Sequence, residues 1–377
     1  MKIVYCHCSL YNPGGMERVL LNKVAWLSAA GHDVSVVTTD QQGRAPFYSF
    51  PDGVLLTDLG VNYSLDNDKP LRERIPSYLR KRRLHRRRLT ELLMAERPDI
   101  TVSLYPSESS FLPDIADGSR KVLELHFNRF FRLQYGRGGL TGLIDRWRSR
   151  RDVSIARRFD RFVVLTDEDK KYWGRMPNIT VIPNAALPMP LQSDCSARRV
   201  IAVGRLDFQK GFDRLVDAWE LVKADPASEG WRLDIFGQGE WRDMLQARIA
   251  EKGLPDSAAV NAPTGDIAAE YAGSSILAMT SNYEGFPMVM IEAMSAGLPA
   301  VTFGYKCGPR DIITDGTDGV IVPNGDIRGF ADALLRLMAD GALRRRMGRA
   351  ATAVTDRYSE ESVMRQWTAL FESLTQK

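Results

Sequence analysis

Short apolar runs rich in β-branched residues alternate with amphipathic helical patterns along this 377-residue chain. Such alternation predicts parallel sheets that are covered by helices on both faces. The first series of predicted strands is Ile3–Tyr5, Val34–Thr38, Ile100–Leu104, Val122–Leu125 and Phe162–Thr166, and the second is Val200–Gly204, Arg232–Phe236, Ile276–Thr280, Pro299–Phe303 and Gly319–Val322. Two series predict two doubly wound domains, which the chain length also favours. The proline-rich stretch VIPNAALPMPLQ, residues 181–192, is the best candidate for the connection between them.

Composition argues against several classes of protein. The apolar and charged fractions, 44% and 26%, are those of an ordinary globular protein, and no run is apolar enough to span a membrane. The opening stretch MKIVYCHCSLYN is too polar for a signal peptide and predicts a buried strand. Four cysteines in so long a chain do not form a disulfide framework, so we expect reduced thiols and a cytoplasmic protein. Cys6 and Cys8 would share one strand face and His7 the other, so no metal site is expected.

Two glycine-containing loops follow predicted strands, where doubly wound sheets bind their ligands. Gly14 and Gly15 precede the first predicted helix, whose N-terminus can bind an anion. In GRLDFQKG, Arg205 and Lys210 flank a loop before another helix, and two such cations suit a diphosphate. Taken alone, the first loop is explained equally well by a structural turn, and the second loop is explained nearly as well by solvated surface charges.

The stretch SNYEGFPMVMIEAMSAGLPAV, residues 281–301, holds two carboxylates that are eight residues apart. Glu284 lies in a loop after a strand, whereas Glu292 lies in a helix that begins near Pro287 and stops before Gly297. Because its apolar neighbours predict a buried environment, Glu292 is expected to have a hydrogen-bonding task. The loops after the strands thus bring cations, helix N-termini and two carboxylates to one edge of the sheet. This combination suits a nucleotide sugar, in which a diphosphate lies between two polyols.

These motifs resemble those of the family 4 retaining glycosyltransferases (glycosyl transferases group 1), which have the GT-B architecture. The resemblance covers nearly the whole chain and rests on GGMERV, VVLTDEDKKYW, VIPNA, GRLDFQKGFD, IFGQGEW, EGFPMVMIEAMSAGLPAV and CGPRDIITDGTDGVIV. It implies two Rossmann-like domains that face a central cleft. The acceptor-binding domain would comprise residues 1–183 and about 356–377, because a C-terminal helix returns to it. The nucleotide-sugar-binding domain would comprise residues 184–355.

The resemblance also implies catalytic roles. Arg205 and Lys210 would neutralise the donor diphosphate, and Glu284 would contact the hydroxyls of the transferred sugar. His126, at a strand end in VLELHFN, would lie at the reaction centre, although a lone histidine there is more often structural. Asp311 stands where the family usually has a glutamate, which leaves the role of that position open.

Further residues would bind the substrates. Glu292 would contact the nucleotide ribose, and Thr264 would border the base. The remaining implied donor contacts are Gly15, Gly285, Phe286, Pro287 and Met288. The implied acceptor contacts are Gly14, Gly15 and Glu17.

The implied reaction moves a hexosyl or N-acetylhexosaminyl group, with retention of configuration, from a nucleotide sugar to a saccharide acceptor. UDP is favoured over GDP or ADP, and the acceptor is expected on a lipid carrier, as in surface polysaccharide and lipopolysaccharide synthesis. The leaving diphosphate would accept the acceptor's proton in a front-face substitution. Since arginine and lysine supply the positive charge, no metal or cofactor is expected.

The basic run RKRRLHRRRL, residues 80–89, predicts binding to an anionic lipid surface, at the inner face of the plasma membrane. A second basic stretch, residues 129–151, contains Leu143, Ile144 and Trp147, which would add apolar insertion. A solvated helix face explains the run nearly as well, and a nucleic-acid-binding protein is an alternative of another class. No aromatic residue interleaves the run for base stacking, so no nucleic acid partner is expected. A nucleotide-sugar epimerase of the same architecture is the alternative enzyme. It would need carboxylates and histidines around the sugar as acids and bases, and the chain has only four histidines.

Overall fold

The computed structural model describes residues 1–133 and 138–376, so part of the second basic stretch and the last residue of the chain lie outside the described residues. The chain divides into two compact units. Unit 1 contains Met1–Leu165, Lys170–Ile182 and Met364–Lys377, and unit 2 contains Thr166–Asp169 and Pro183–Val363. Each unit has its own parallel sheet, which confirms the predicted α/β class with two doubly wound domains.

The sheet of unit 1 has the strand order β3-β2-β1-β4-β5-β6-β7, and every neighbouring pair is parallel. Its strands are β1 (Lys2–His7), β2 (Asp33–Thr38), β3 (Leu55–Asp58), β4 (Ile100–Ser103), β5 (Arg120–Glu124), β6 (Arg161–Val164) and β7 (Ile179–Val181). The helices along this part of the chain are α1 (Gly15–Ala29), α2 (Leu71–Glu96), α3 (Gly139–Ala156) and α4 (Asp167–Trp173). The opening strand β1 is buried, as predicted, but Cys8 just after it is exposed.

The sheet of unit 2 has the strand order β10-β9-β8-β11-β12-β13, again with parallel neighbours. Its strands are β8 (Arg199–Val203), β9 (Arg232–Phe236), β10 (Ala258–Asn261), β11 (Ile276–Met279), β12 (Ala300–Phe303) and β13 (Gly319–Val322). Its helices are α5 (Phe212–Lys223), α6 (Arg242–Glu251), α7 (Ile267–Ala272), α8 (Met288–Ser295), α9 (Pro309–Ile312), α10 (Ile327–Ala339), α11 (Gly341–Ala351) and α12 (Val354–Arg357).

The C-terminal helix α13 (Glu360–Thr375) joins unit 1 only from Met364 onwards. The expected boundary near residue 356 is therefore about eight residues too early. Tyr358 explains the difference, because it is buried within unit 2 and its hydroxyl donates to the carbonyl of Asp311 at 3.0 Å. The four residues Thr166–Asp169 also belong to unit 2 rather than to the expected first domain.

A buried ion pair lies beneath α13 in unit 1. Lys23 on α1 donates to Glu124 at the end of β5, and both side chains are almost fully buried. The ammonium of Lys23 also lies 4.1 Å from the ring centre of Trp367 on α13, which is itself buried. Burial alone would raise the pKa of Glu124, but the charges of Lys23 and His126 outweigh it and lower that pKa to about 2. The carboxylate is thus held ionised in the core.

We predict that Glu124→Gln lowers the free energy of unfolding by about 3–5 kcal/mol, because it leaves the ammonium of Lys23 buried without a counter-charge. Lys23→Met should cost a similar amount, and the double variant should cost less than the sum of the two. Urea denaturation followed by circular dichroism measures all three. The partly exposed pair of Lys252 and Glu220 at the surface is the control, and the same substitutions there should change stability by less than about 1 kcal/mol. Additive losses at Lys23 and Glu124 would contradict a coupled pair.

The same pair predicts a pH dependence. Since the folded-state pKa of Glu124 lies below its ordinary value, its contribution to stability is present near neutral pH and is lost as the pH falls from about 5 towards 2. The stability difference between the wild type and Glu124→Gln should therefore shrink over this range. A difference that does not change with pH would contradict the assignment.

Candidate functional site

Four loops of unit 2 leave the carboxyl ends of the neighbouring strands β10, β9, β8 and β11. Thr264 lies in the loop after β10, Arg205 and Lys210 lie in the loop after β8, and Glu284 lies in the loop after β11. Because all these strands are parallel, the loops emerge at one edge of the sheet, where doubly wound folds bind ligands. The structure thus places the expected donor residues on the same edge.

A hydrogen-bonded cluster around Glu284 ties the loop after β8 to the loop after β11. Lys210 Nζ lies 2.7 Å from Glu284 Oε1, which also accepts from Ser281 Oγ at 2.8 Å. The second carboxylate oxygen, Oε2, accepts from Gln209 Nε2 at 3.0 Å. The side chains of Lys210 and Glu284 are only 12% and 7% exposed, so the pair is largely shielded from water. An ammonium has three N–H donors, so Lys210 can hold Glu284 and still donate to a ligand oxygen.

Gly204 lets the stem of Lys210 cross the end of β8. A Cβ atom at Gly204 would lie 2.7 Å from Lys210 Cε, which is closer than real Cβ contacts. Any side chain at this position would displace the lysine from Glu284. This close approach gives a physical reason for the glycine that opens GRLDFQKG.

Arg205 is far more exposed than Lys210. Its guanidinium donates to Gln209 Oε1 at 2.6 Å and lies 3.3 Å from Asp207, and its side chain is 67% exposed. Gln209 therefore links the exposed cation to the buried carboxylate. Gln209 and Asp207 lie within the motif GRLDFQKG, but no local pattern in the sequence predicts their bonds to Arg205 and Glu284.

The environment of Glu292 differs from the expected one. Glu292 is half-buried rather than buried, because it lies on the side of α8 away from Met290, Ile291 and Met294. Its Oε2 accepts from the hydroxyl of Tyr271 at 3.4 Å. Burial, and secondly the charge of Glu292, raise the pKa of Tyr271 well above its ordinary value.

The segment before α8 is partly a packing element. Phe286 is buried, and its ring lies edge-on to that of Tyr358 with centroids 5.4 Å apart. Pro287 immediately precedes the helix rather than lying in its first turn, and Met288 is the first helical residue. The backbone of Gly285, Phe286 and Met288 thus lies at the N-terminus of α8, where amide groups can face an anion.

Asp311 has a structural task within unit 2. Its Oδ1 accepts from the backbone amides of Asp167 and Glu168, at 2.8 and 3.2 Å, at the start of α4. Burial raises the pKa of Asp311, and these two amide bonds oppose that rise. The carboxylate in GPRDII therefore caps a helix in this structure.

In unit 1 the expected residues follow β1 and β5. His126 Nε2 lies 2.9 Å from Glu124 Oε1, so the buried ion pair with Lys23 also fixes the histidine ring. Glu17 folds back over the loop, where a Cβ atom at Gly14 would meet its Oε2 at 2.1 Å. Glu17 is buried, and its Oε1 lies 3.9 Å from His7 Nε2. Gly15 is the first residue of α1, and no heavy atom would lie within 4 Å of a Cβ atom there.

Within residues 1–133 and 138–376, no group of three or more His, Cys, Asp or Glu side chains is arranged to hold a metal ion. In the same residues, no helix combines the length and the apolar character that a membrane span requires.

Comparison with known proteins matches both parts of the chain to glycosyltransferases. The family model described as Glycosyltransferase Family 4 matches residues 13–186, and the one described as Glycosyl transferases group 1 matches residues 190–354. The amylovoran biosynthesis glycosyltransferase AmsD of Erwinia amylovora is 37% identical over 55% of this chain and 61% of its own length. An exopolysaccharide phosphotransferase of Streptomyces coelicolor is 29% identical over 100% of this chain, which spans 41% of that relative.

A solved structure shows the same fold. TarM of S. aureus, a mutant form in complex with fondaparinux, α-GlcNAc-glycerol and UDP, superimposes with a TM-score of 0.79 at 18% identity. The match covers 98% of this chain and 99% of that one. Two consecutive family models and this common fold confirm the resemblance drawn from the motifs. The chain belongs to the family 4 glycosyltransferases and has the GT-B fold of two Rossmann-like domains.

Proposed function

We propose that this protein transfers a hexosyl or N-acetylhexosaminyl group from a UDP-sugar to a saccharide acceptor, with retention of configuration. The contact between Lys210 and Glu284 carries the proposal. It joins a cation suited to a phosphate and a carboxylate suited to sugar hydroxyls, at the strand edge where this fold binds ligands. A nucleotide sugar has these two groups next to each other.

The order of the strands supports the orientation of the donor. Along β10-β9-β8-β11, Thr264 comes first, Arg205 and Lys210 follow, and Glu284 comes last. A nucleotide sugar has its base, diphosphate and sugar in the same order. Glu292 on α8 would bind the ribose, and the N-terminus of α8 would face the phosphate and the sugar. The UDP in the TarM complex favours UDP as the nucleotide.

The proposed chemistry is a front-face substitution. The bond from the anomeric carbon to the diphosphate oxygen breaks, and a bond from the same carbon to the acceptor oxygen forms on the same face. The leaving diphosphate takes the acceptor's proton, so the products are UDP and a glycoside. Lys210 and Arg205 would stabilise the negative charge that develops on the leaving group, without a metal or another cofactor. The α configuration of the GlcNAc-glycerol bound in the TarM complex is consistent with retention.

His126 would act on the transferred sugar in this scheme. Its contact with Glu124 keeps a proton on Nε2, so Nδ1 is the ring atom that can bond a sugar hydroxyl. Gly14, Gly15 and Glu17 would shape the acceptor side, although the buried position of Glu17 favours support of the loop over direct contact. In this account, the carboxylate of Glu124 positions His126 and does not touch the substrate.

The acceptor would be lipid-linked, and the protein would bind the inner face of the plasma membrane from the cytoplasm. The structure divides the basic run on α2 into two groups. Lys81, Arg82 and Arg88 bond to neighbouring protein atoms, and Arg87 lies 3.9 Å from Glu91. Arg80, Arg83 and Arg86 are exposed at a spacing of three residues and therefore lie on one side of the helix. These three side chains are the ones suited to an anionic surface.

We expect UDP-sugars, and not GDP- or ADP-sugars, to raise the melting temperature and to be hydrolysed slowly without acceptor. Melting temperatures and hydrolysis rates measured with a panel of nucleotide sugars identify the preferred base and sugar. The same measurements in the presence of EDTA test whether the reaction needs a metal. Stabilisation by a GDP-sugar alone, or activity that EDTA removes and Mn²⁺ restores, would contradict the assignment. Interconversion of nucleotide sugars without release of the nucleotide would indicate an epimerase.

Lys210→Ala should lower turnover by roughly two to three orders of magnitude, because one contact to the leaving group is worth about 3–4 kcal/mol in such sites. Lys210→Arg should retain more activity, since it keeps the charge. The control is Lys252→Ala, which removes an ion-paired lysine from the surface of unit 2. Initial rates with the best donor decide the outcome, and a Lys210→Ala rate within twofold of the wild type would exclude a role at the leaving group.

The triple variant Arg80→Gln, Arg83→Gln, Arg86→Gln should weaken binding to anionic vesicles roughly a hundredfold, since each cation near such a surface is worth about 1 kcal/mol. The matched control replaces the exposed Arg345, Arg346 and Arg349 of α11 by Gln. Co-sedimentation with anionic and neutral vesicles, at low and high salt, measures the effect. Equal pelleting by the two triple variants would mean that the basic run is only a solvated helix face.

A further inference from the structure

We propose that a groove in unit 1 binds the carrier end of the acceptor, an amphiphile with a phosphate or diphosphate head and a long apolar chain. This inference rests on the proposed function for the existence of a lipid-linked acceptor. It adds a specific site, which neither the motifs nor the family matches assign. The site is distinct from the exposed side of the basic run, because Arg80, Arg83 and Arg86 do not line it.

The groove lies between the first half of α2, the loop after β4 and the second half of α3. Its volume is about 690 Å³, within the range of about 300–1,000 Å³ that is usual for small-molecule sites. Ile75 and Tyr78 line it from α2, Ser107 and Ser110 line it from the loop, and Trp147 lines it from α3. All of these residues belong to unit 1. The walls are therefore fixed by one compact unit.

Both helices beside the groove expose apolar side chains at helical spacing. The exposed residues are Leu71, Ile75, Tyr78 and Leu79 on α2, and Leu140, Leu143, Ile144 and Trp147 on α3. Each set recurs at intervals of three or four residues, so it forms a stripe along one side of its helix. Scattered apolar residues are normal on a protein surface, but two stripes beside one groove indicate a binding site for an apolar group.

The charges inside the groove are unbalanced. Its two carboxylates are already engaged: Asp66 bonds Lys69 and Lys81, each at 2.6 Å, and Asp152 bonds Arg132 at 2.7 Å. The lining cations Arg74, Arg148 and Arg151 form no ion pair within the part of the chain that the structure describes. Three arginines without a carboxylate partner favour an anionic head, and guanidinium groups match phosphate geometry well. The groove thus combines cationic walls with apolar edges.

The groove lies near the strand ends that carry His126, the residue expected at the reaction centre. The loop after β4 leaves the sheet between β1, which precedes Gly14, and β5, which precedes His126. Tyr105 of this loop packs edge-on against Phe131, with centroids 5.7 Å apart, and Phe131 stacks on Phe127, next to His126, at 5.6 Å. A lipid phosphate held here would place the first sugars of its glycan beside this aromatic series. Aromatic faces pack well against the apolar faces of sugar rings.

These features favour a single amphiphile over a flat membrane contact. A surface that only touches headgroups needs exposed cations and apolar tips but no cavity. Here the cations line a cavity, and Arg151 lies 5.5 Å from the ring centre of Trp147, so the charge and the apolar edge meet at one point. We therefore assign the groove to the phosphate and the adjoining part of the carrier chain.

Farnesyl diphosphate, farnesol and inorganic diphosphate are the probes, with binding measured by calorimetry in the absence of vesicles. We expect one farnesyl diphosphate per chain, bound at least tenfold more tightly than either fragment. Saturating UDP should leave this binding in place, because residues of unit 1 line the groove and the donor loops belong to unit 2. Equal affinity for inorganic and farnesyl diphosphate, or displacement of farnesyl diphosphate by UDP, would overturn the proposal.

The double variant Arg148→Gln, Arg151→Gln should weaken farnesyl diphosphate binding by about a hundredfold, because it removes two charge-assisted contacts that are each worth about a factor of ten. The control is Arg146→Gln, Arg150→Gln, which makes the same charge change on the same helix at exposed residues outside the groove. It should change the affinity by less than twofold. Ile75→Asn tests the apolar edge and should weaken farnesyl diphosphate but not inorganic diphosphate.

Equal losses in the two arginine variants would show that only net charge matters and would overturn the site. UDP binding to the wild-type protein, measured in the same calorimeter, reports separately on the proposed function. Binding of farnesyl diphosphate without UDP binding would support the groove and count against the donor assignment. UDP binding without farnesyl diphosphate binding would support the donor assignment and overturn the groove.

Discussion

The ion pair between Lys210 and Glu284 is the interaction on which the proposed donor site depends. Two loops that leave neighbouring strands, β8 and β11, meet at this contact, and Gln209 and Ser281 complete the bonds to the carboxylate. A largely buried pair of opposite charges is stable only when its geometry is well defined, so it fixes both loops relative to the sheet. The same contact brings a cation suited to a phosphate and a carboxylate suited to hydroxyls within one sugar unit of each other.

Unit 1 uses a related arrangement. Glu124 lies at the end of β5, where the ammonium of Lys23 neutralises it from below, and it orients His126 beside the strand end. Trp367 packs on Lys23, which gives a physical reason for the return of α13 to this unit. In both units a side chain expected at the reaction centre is held by a charge of opposite sign. Such support reduces the reorganisation that the site would need during the reaction.

Much of the fold could be predicted because the central strands are continuous apolar runs, buried on both sides. The edge strands β3, β7 and β10 are absent from the predicted series, since they are short and partly exposed and therefore carry no such pattern. The strand-end loops could be located for the same reason as the strands. The contact between Lys210 and Glu284 could not be predicted, because 74 residues separate the two side chains in the sequence. The pair of Lys23 and Glu124, 101 residues apart, left no local signal at all.

Glu292 shows where a periodic pattern misleads. Its neighbours in α8 are buried, but a helix presents successive residues in different directions, so a buried neighbour does not imply a buried glutamate. Asp311 shows the opposite limit. The motif GPRDII identifies Asp311 as a position of interest in the family, but only the structure reveals that its carboxylate caps α4.

A crystal structure with the UDP-sugar that stabilises the protein most would test the central claim directly. We expect Lys210 Nζ to lie within about 3.2 Å of a diphosphate oxygen, a normal hydrogen-bond distance. We also expect Glu284 to accept a hydrogen bond from a hydroxyl of the transferred sugar. A complex in which the diphosphate lies away from Lys210, with Glu284 bonded only to protein groups, would contradict the account.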